Sequence, residues 1–306
     1  MPGIGIKREQ SIRCGSMRTS YALFLGCYIP VNQPFVEASF RKIATKLGID
    51  LVEMEGATCC PVPDIIRLSD YNSWISIAAR NLSIAESLEK DIITLCTGCW
   101  ESLFEAREEL VSDKDLAKKV NFQLSAINKS FTGKTQVKYY LEVLVEELGI
   151  ENLKKNIKRS LSEVKVAVHY GCKLYKSENE KLVKYFDECI EALDLKVADY
   201  GIERVCCGYP LSLYSLDKAI EERTKWKLDR IKESGAECIV VTCPACYDQF
   251  ERGQFLLRRK KLRYDIPTLH LTELIALSFG YSPEELGLDQ HRISCKGIIE
   301  KIKPKG

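Results

Sequence analysis

Apolar positions recur in the same order twice along this 306-residue chain. Unbroken apolar runs at Tyr21–Gly26 and Val164–Tyr170 read as strands buried on both faces. A helical stripe follows each: Val36, Phe40, Ile43 and Leu47 after the first, and Leu182, Phe186, Cys189 and Leu193 after the second. Extended runs come next at Asp50–Glu55 and Lys196–Tyr200, then longer helices near Asn72–Lys90 and Leu216–Ser234. Apolar strands at Ile92–Leu95 and Cys238–Val241 run into further helices, and a strand–helix pair closes each half. Alternation of this kind predicts an α/β fold with parallel sheets covered by helices.

The cysteines show why the order repeats. Cys59, Cys60, Cys96 and Cys99 stand 147 residues before Cys206, Cys207, Cys243 and Cys246, and Cys27 stands 145 before Cys172. Flanking segments repeat as well: DIITLCTGCW at Asp91–Trp100 matches ECIVVTCPACY at Glu237–Tyr247. The chain is therefore a tandem duplication, expected to form two pseudo-symmetric Rossmann-like units over residues 18–160 and 161–292. Residues 1–17 are left as an N-terminal extension and 293–306 as a tail. About 16 residues inserted around Ser112–Lys134 of the first unit read as an added helix and loop. In each unit the cysteines fall where strands end and helices begin, the ligand-binding edge of open α/β sheets.

Composition narrows the chemistry. Basic and acidic residues number 45 and 43, a formal charge of +2, so nothing points to nucleic acid; the basic run Arg258–Arg263 reads as a solvated helix end or docking face. No apolar run reaches the roughly 18–20 residues of a membrane span, and the first twenty residues lack the apolar core of a signal peptide. A cytoplasmic protein is expected. In that setting 14 cysteines point to metal or redox chemistry before structural disulfides, although the Lys, Glu and Ile usage would suit a thermophile, where disulfides survive inside cells.

Each unit offers five motif cysteines. Structural zinc takes four ligands and would leave one over. Dithiol exchange at a Cys-x-x-Cys explains only two. Common iron–sulfur clusters also take four cysteines, but several irons held together can accept two neighbouring thiolates. Spacing alone leaves all three chemistries open.

The pattern C-x31-CC-x35-C-x2-C from Cys27 to Cys99, repeated as C-x33-CC-x35-C-x2-C from Cys172 to Cys246, resembles the twin cysteine-rich (CCG) domains of the heterodisulfide reductase B subunit (HdrB). MEGATCCP, CTGCW, HYGC, CPACYDQFERGQ and SPEELGLDQHR are similar to that family, from about Arg18 to His291. The resemblance implies two noncubane [4Fe–4S] clusters. Cys27, Cys59, Cys60, Cys96 and Cys99 would hold one, and Cys172, Cys206, Cys207, Cys243 and Cys246 the other. It implies a disulfide substrate split between them, with electrons delivered by an iron–sulfur C subunit and a flavin-containing A subunit completing the complex. Two features depart from the family: Pro61 follows the first cysteine pair, and GYPLSLYS follows the second where a glycine-rich run is expected. The alternatives are a heterodisulfide-reductase-like component of a sulfur-oxidising system, a non-catalytic electron-transfer component and a zinc-bearing interaction protein.

Other residues carry weaker signals. His169 and Lys173 flank Cys172 and are candidates for proton transfer and for pairing with substrate; a core histidine and a solvated lysine are the plainer expectations. Arg204 is read like Lys173. Trp100 and Tyr247 follow the Cys-x-x-Cys motifs in register, where they either screen a cluster or simply pack. Cys189 and Cys238 are expected in the core, Cys14 and Cys295 as incidental, His270 at a strand end and His291 on the surface.

Overall fold

A computed structural model describes residues 19–174 and 180–305. Cys14 and the expected N-terminal extension lie outside the described residues. The first unit runs β1 (Thr19–Phe24), α1 (Pro34–Leu47), β2 (Ile49–Glu53), α2 (Tyr71–Ser87), β3 (Asp91–Thr94), α3 (Thr97–Ser112), α4 (Lys114–Ser125) and β4 (Val137–Tyr139). The second runs β5 (Lys165–His169), α5 (Glu180–Ala192), β6 (Lys196–Val197), α6 (Lys225–Glu233), β7 (Cys238–Val241), α7 (Pro244–Arg259), β8 (Thr268–His270) and α8 (Leu271–Ser278). Each unit holds a four-stranded, all-parallel sheet, ordered β2-β1-β3-β4 and β6-β5-β7-β8. The fold is α/β with two similar Rossmann-like units.

Local chemistry sets the element ends. Pro34 opens α1, and Gly48, at φ 77°, closes it in the left-handed region that glycine favours. Asp70 caps α2 by accepting from the Ser73 amide at 3.0 Å. The inserted residues form α4, capped by Asp113 and anchored by Val120 and Leu124. The extended run after α5 is shorter than its apolar pattern suggests. Only Lys196 and Val197 pair with β5, and both are exposed at the sheet edge. The long second-unit helix is in pieces: Leu216–Lys218, a π-helical turn at Ala219–Thr224, and α6.

The units exchange their closing elements. Helix α8 of the second unit packs along α1 of the first, and the helical segment after β4, Tyr140–Glu142, packs against α5 of the second. The Tyr139 hydroxyl donates to the Thr242 carbonyl, and Gln33 Nε2 donates to the Pro244 carbonyl at 2.8 Å, both across the units. Nearly all the buried apolar side chains join one core that spans both sheets. This places the carboxyl edges of the two sheets face to face.

Residues past 292 are built into the fold. Lys303–Pro304 pair antiparallel with Arg159–Ser160, and Cys295 and Ile298 are buried. His291, expected on the surface, is buried. Its Nε2 lies 2.6 Å from Glu273 Oε1, its Nδ1 lies 3.4 Å from Cys295 Sγ, and Phe35 and Tyr247 flank the ring. The sequence hid this because the aromatic cover comes partly from the other unit. Cys295, expected as incidental, is a buried thiol beside this histidine. Among the described residues no helix is long and apolar enough to cross a membrane.

Candidate functional site

All ten motif cysteines stand at the facing carboxyl edges. Cys27 and Cys172 follow β1 and β5. Cys59–Cys60 and Cys206–Cys207 lie in the loops after β2 and β6. Cys96 and Cys243 cap α3 and α7, with Cys99 and Cys246 in their first turns. The glycine before each leading cysteine holds a left-handed backbone, and at Gly26 close approach requires it as well. Gly26 and Gly171 have φ of 67° and 74°, and a Cβ on Gly26 would meet Cys99 Sγ at 2.7 Å.

The thiols touch one another in a continuous line. Cys27 Sγ lies 3.6 Å from Cys59 Sγ. Cys59 contacts Cys60, Cys60 contacts Cys99, and Cys99 contacts Cys96. The mirror sequence runs through the second unit: Cys172 to Cys206, Cys206 to Cys207, Cys207 to Cys246 at 3.5 Å, and Cys246 to Cys243. At the centre Cys96 and Cys243 hydrogen-bond across the units. Nine of the ten cysteines line one cleft of about 780 Å³, part of it open to solvent. Leu25, Val62, Pro63, Pro210 and Ala245 give it apolar walls. None of the described cysteines is in a disulfide.

Such an array cannot titrate uniformly. Donation from Cys59 and Cys99 pulls Cys60 down to about 6, while donation by Cys99 to Cys60 and Cys96 pushes its own thiol well up. Cys243 is lowered by Cys246 and then by Cys96, and Cys246 is raised by donating to Cys207. Protons are shared along a line of sulfurs that would all be thiolates in the presence of a multivalent cation.

The backbone behind the paired cysteines is held in both units by a hydroxyl. Ser102 donates to the Cys60 and Pro61 carbonyls at 2.5 and 3.0 Å and accepts from Trp74 Nε1 at 2.8 Å. Thr224 lies 3.1 Å from the Cys207 carbonyl and accepts from Gln249 Nε2 at 2.8 Å.

Around the line of sulfurs, each unit sends a side chain to the other. Lys173, next to Cys172, lines the cleft with its Nζ 2.5 Å from Glu101 Oε2 and 2.6 Å from Asp64 Oδ1. The expected solvated lysine is therefore a buried one. Burial alone would depress its pKa; the Glu101 and Asp64 carboxylates outweigh that and hold it above the ordinary lysine range. On the opposite side Tyr28, next to Cys27, faces Asp248, which pairs with Arg252 at 3.3 Å. Glu101 and Asp248 each stand two residues after a Cys-x-x-Cys, so the repeat itself marked them; their use across the units was not legible.

His169 is buried behind the cleft and is not among its lining residues. Burial, then the charge of Lys227, lowers its pKa to about 3, so it is neutral at pH 7. Neither ring nitrogen has a hydrogen-bond partner, and a ring nitrogen lies with Cys207 and Cys246 Sγ in a group whose atoms are all within 4.8 Å of one another. Trp100 stacks on Phe104 and Tyr247 tilts against Phe35, so both aromatics pack against neighbours. Arg204 covers the Tyr170 ring and does not line the cleft, and His270 hydrogen-bonds Thr272 in the core. Arg258 pairs with Asp265 and Lys260 with Glu221 on an exposed helix end.

The Cysteine-rich domain (CCG) family model matches residues 21–103 and 166–251. The B subunit of the ferredoxin:CoB-CoM heterodisulfide reductase of Methanosarcina mazei is 36% identical over 290 residues, covering 92% of this chain and 96% of the relative. A protein of Archaeoglobus profundus described as like the heterodisulfide reductase B subunit is 36% identical over 276 residues, covering 87% and 92%. In fold, the chain is similar to the crystal structure of a hypothetical protein from Helicobacter pylori, with a TM-score of 0.73 and 15% identity. That match takes in 91% of this chain and 53% of the other.

Proposed function

The chain belongs to the cysteine-rich CCG-domain family, among the heterodisulfide reductase B subunits, and from that premise we propose that it is the disulfide-cleaving component of a multi-subunit reductase. Cys27, Cys59, Cys60, Cys96 and Cys99 would hold one noncubane [4Fe–4S] cluster, and Cys172, Cys206, Cys207, Cys243 and Cys246 a second. The donor set supports the fit: soft thiolates at contact distance, with a buried histidine that has two orphaned nitrogens beside the second set. When bound, the clusters supply one electron each and iron sites that accept sulfur.

The observation that carries the reading is the Cys96–Cys243 contact at the centre of a single cleft. One small disulfide there is within reach of both sulfur sets. Cleaving it to two thiols takes two electrons and two protons. The apolar walls strip water from the substrate's sulfurs. Lys173 is matched at the wall by Glu101 and Asp64, which fix its position, and its raised pKa makes it a poor proton donor. Protons then come through the open mouth. Electrons enter from partner proteins, an iron–sulfur C subunit with a flavin-containing A subunit further upstream, as the resemblance implies.

The test is an anaerobic titration of the reduced protein with CoB–CoM heterodisulfide and with simple dialkyl disulfides. Two thiols released per disulfide, with loss of the reduced EPR signal, is the expected result. Intact disulfide and an unchanged signal would remove the catalytic reading and leave an electron-transfer component.

A further inference from the structure

Behind the second set of sulfurs lies a lysine with no solvent exposure, Lys227 on α6. Its Nζ donates to the Ile202 carbonyl and, at 2.8 Å, to the carbonyl of Val205, the residue before Cys206. The Tyr200 ring lies 5.3 Å from the ammonium. Burial lowers its pKa to about 8, against the pull of Cys207 and Cys246 and then of Glu203 and Cys206, so the charge persists at neutral pH. Glu203 is itself held by the Tyr200 and Gly201 amides at 2.8 and 2.9 Å. Removing an ammonium from water costs several kcal/mol, and carbonyl oxygens alone do not cancel its charge.

The first unit has no buried ammonium at the corresponding place: Arg80, 147 residues before Lys227, donates to the Gly56 carbonyl at 2.8 Å from a partly exposed position. Asn81, the next residue on α2, does the same mechanical work with a neutral amide. It donates to the Cys59 carbonyl at 3.1 Å and accepts from the Thr58 amide at 3.0 Å. The other buried lysine near the sulfurs, Lys173, is matched by Glu101 and Asp64.

We propose that Lys227 makes the two redox centres unequal, its buried positive charge stabilising the reduced form of the second-unit centre so that electrons settle there first. The proposal rests on the two-cluster reading above. Net charge and burial are the levers by which a protein sets cluster potential, and a charge acting through low-dielectric protein is weakly screened. Lys227 touches neither substrate nor the reacting atoms; it is a positioning residue for charge.

The experiment separates the centres by ligand loss. Anaerobic Cys60→Ala protein keeps the second-unit centre alone, and Cys207→Ala protein the first. EPR-monitored redox titration is run on each with Lys227→Gln, which keeps a donor for the two carbonyls, and with Lys227→Arg, which keeps the charge. Lys227→Gln is expected to lower the second-unit potential by about tenfold in one-electron partition, about 59 mV. It should leave the first-unit potential in place, and Lys227→Arg should stay near the parent. Equal potentials for Lys227→Gln and parent, equal shifts in both centres, or loss of second-unit iron in both lysine variants would overturn the proposal in favour of a purely structural lysine. Absence of iron from the parent protein would overturn the cluster reading itself, a different result.

Discussion

The two units present five sulfurs each, in mirrored order, yet the charges behind the sulfurs differ. In the first unit the loop carrying the paired cysteines is tied down by the buried neutral groups Asn81, Ser102 and Trp74 and by the partly exposed Arg80. In the second the same loop is tied by a buried ammonium, Lys227, and by Thr224 with Gln249, and it borders a neutral buried histidine. The side chain after the leading cysteine is tyrosine in one unit and lysine in the other, and each reaches an acid of the opposite unit. Duplication supplied two equivalent sets of sulfurs. Divergence then acted on the layer behind them, where charge and hydrogen bonding change electronics without moving a sulfur.

The largest test of equivalence is ligand loss. Cys60→Ala and Cys207→Ala should each remove about half the iron, because each sulfur set loads one centre. Iron analysis of the anaerobic variants would break the comparison if one substitution emptied both sets and the other neither.

A smaller effect separates the closing elements. Glu142 and Glu273 both accept from the backbone at the start of a closing helix, from Tyr139 and His270 respectively. Glu273 also pairs with buried His291, whereas Glu142 pairs with half-exposed Lys181. Glu273→Gln should cost about 3–5 kcal/mol in chemical unfolding, and Glu142→Gln about 1 kcal/mol or less. The His291 pair also carries a pH signature. Burial opposes its charge, but Glu273 and Cys295 outweigh burial and raise the imidazole to about 11. A raised folded pKa gives stability that is complete below the ordinary value of 6.5 and is lost as pH rises towards 11. Midpoints measured across that range should fall more steeply for the parent than for His291→Gln. A parallel fall would place the loss elsewhere.

A further effect of similar size lies in the hydroxyl ties. Ser102→Ala leaves the buried Trp74 N–H and the Cys60 carbonyl without their partner, so a loss of about 1–3 kcal/mol is expected. Thr224→Val keeps shape and should cost the same order. A much larger cost in one unit would show that its loop depends on the hydroxyl alone.

The spacing of the sequence carried the gathering of the ten cysteines and the element order, because the duplication preserved offsets and the apolar stripes follow sheet and helix periods. What escaped it was cover supplied from far along the chain. Lys173 reads as solvated until Asp64, 109 residues away, and Glu101 close over it. His291 reads as surface until Phe35 of the other unit packs on its ring. Lys227 sits on a helix with a weak apolar stripe, so no period marks it as buried; its carbonyl partners Ile202 and Val205 lie in a loop whose path the sequence does not specify. The acids Glu101 and Asp248 were readable in register, but the exchange of elements that pairs them across the units belongs to tertiary packing alone.

The central claim, that each sulfur set holds its own four-iron centre at one shared cleft, is tested most directly by iron and acid-labile sulfide per chain in protein purified without oxygen. About eight of each is the result the account predicts. Zinc in their place, or thiols fully titratable with no metal bound, would contradict it.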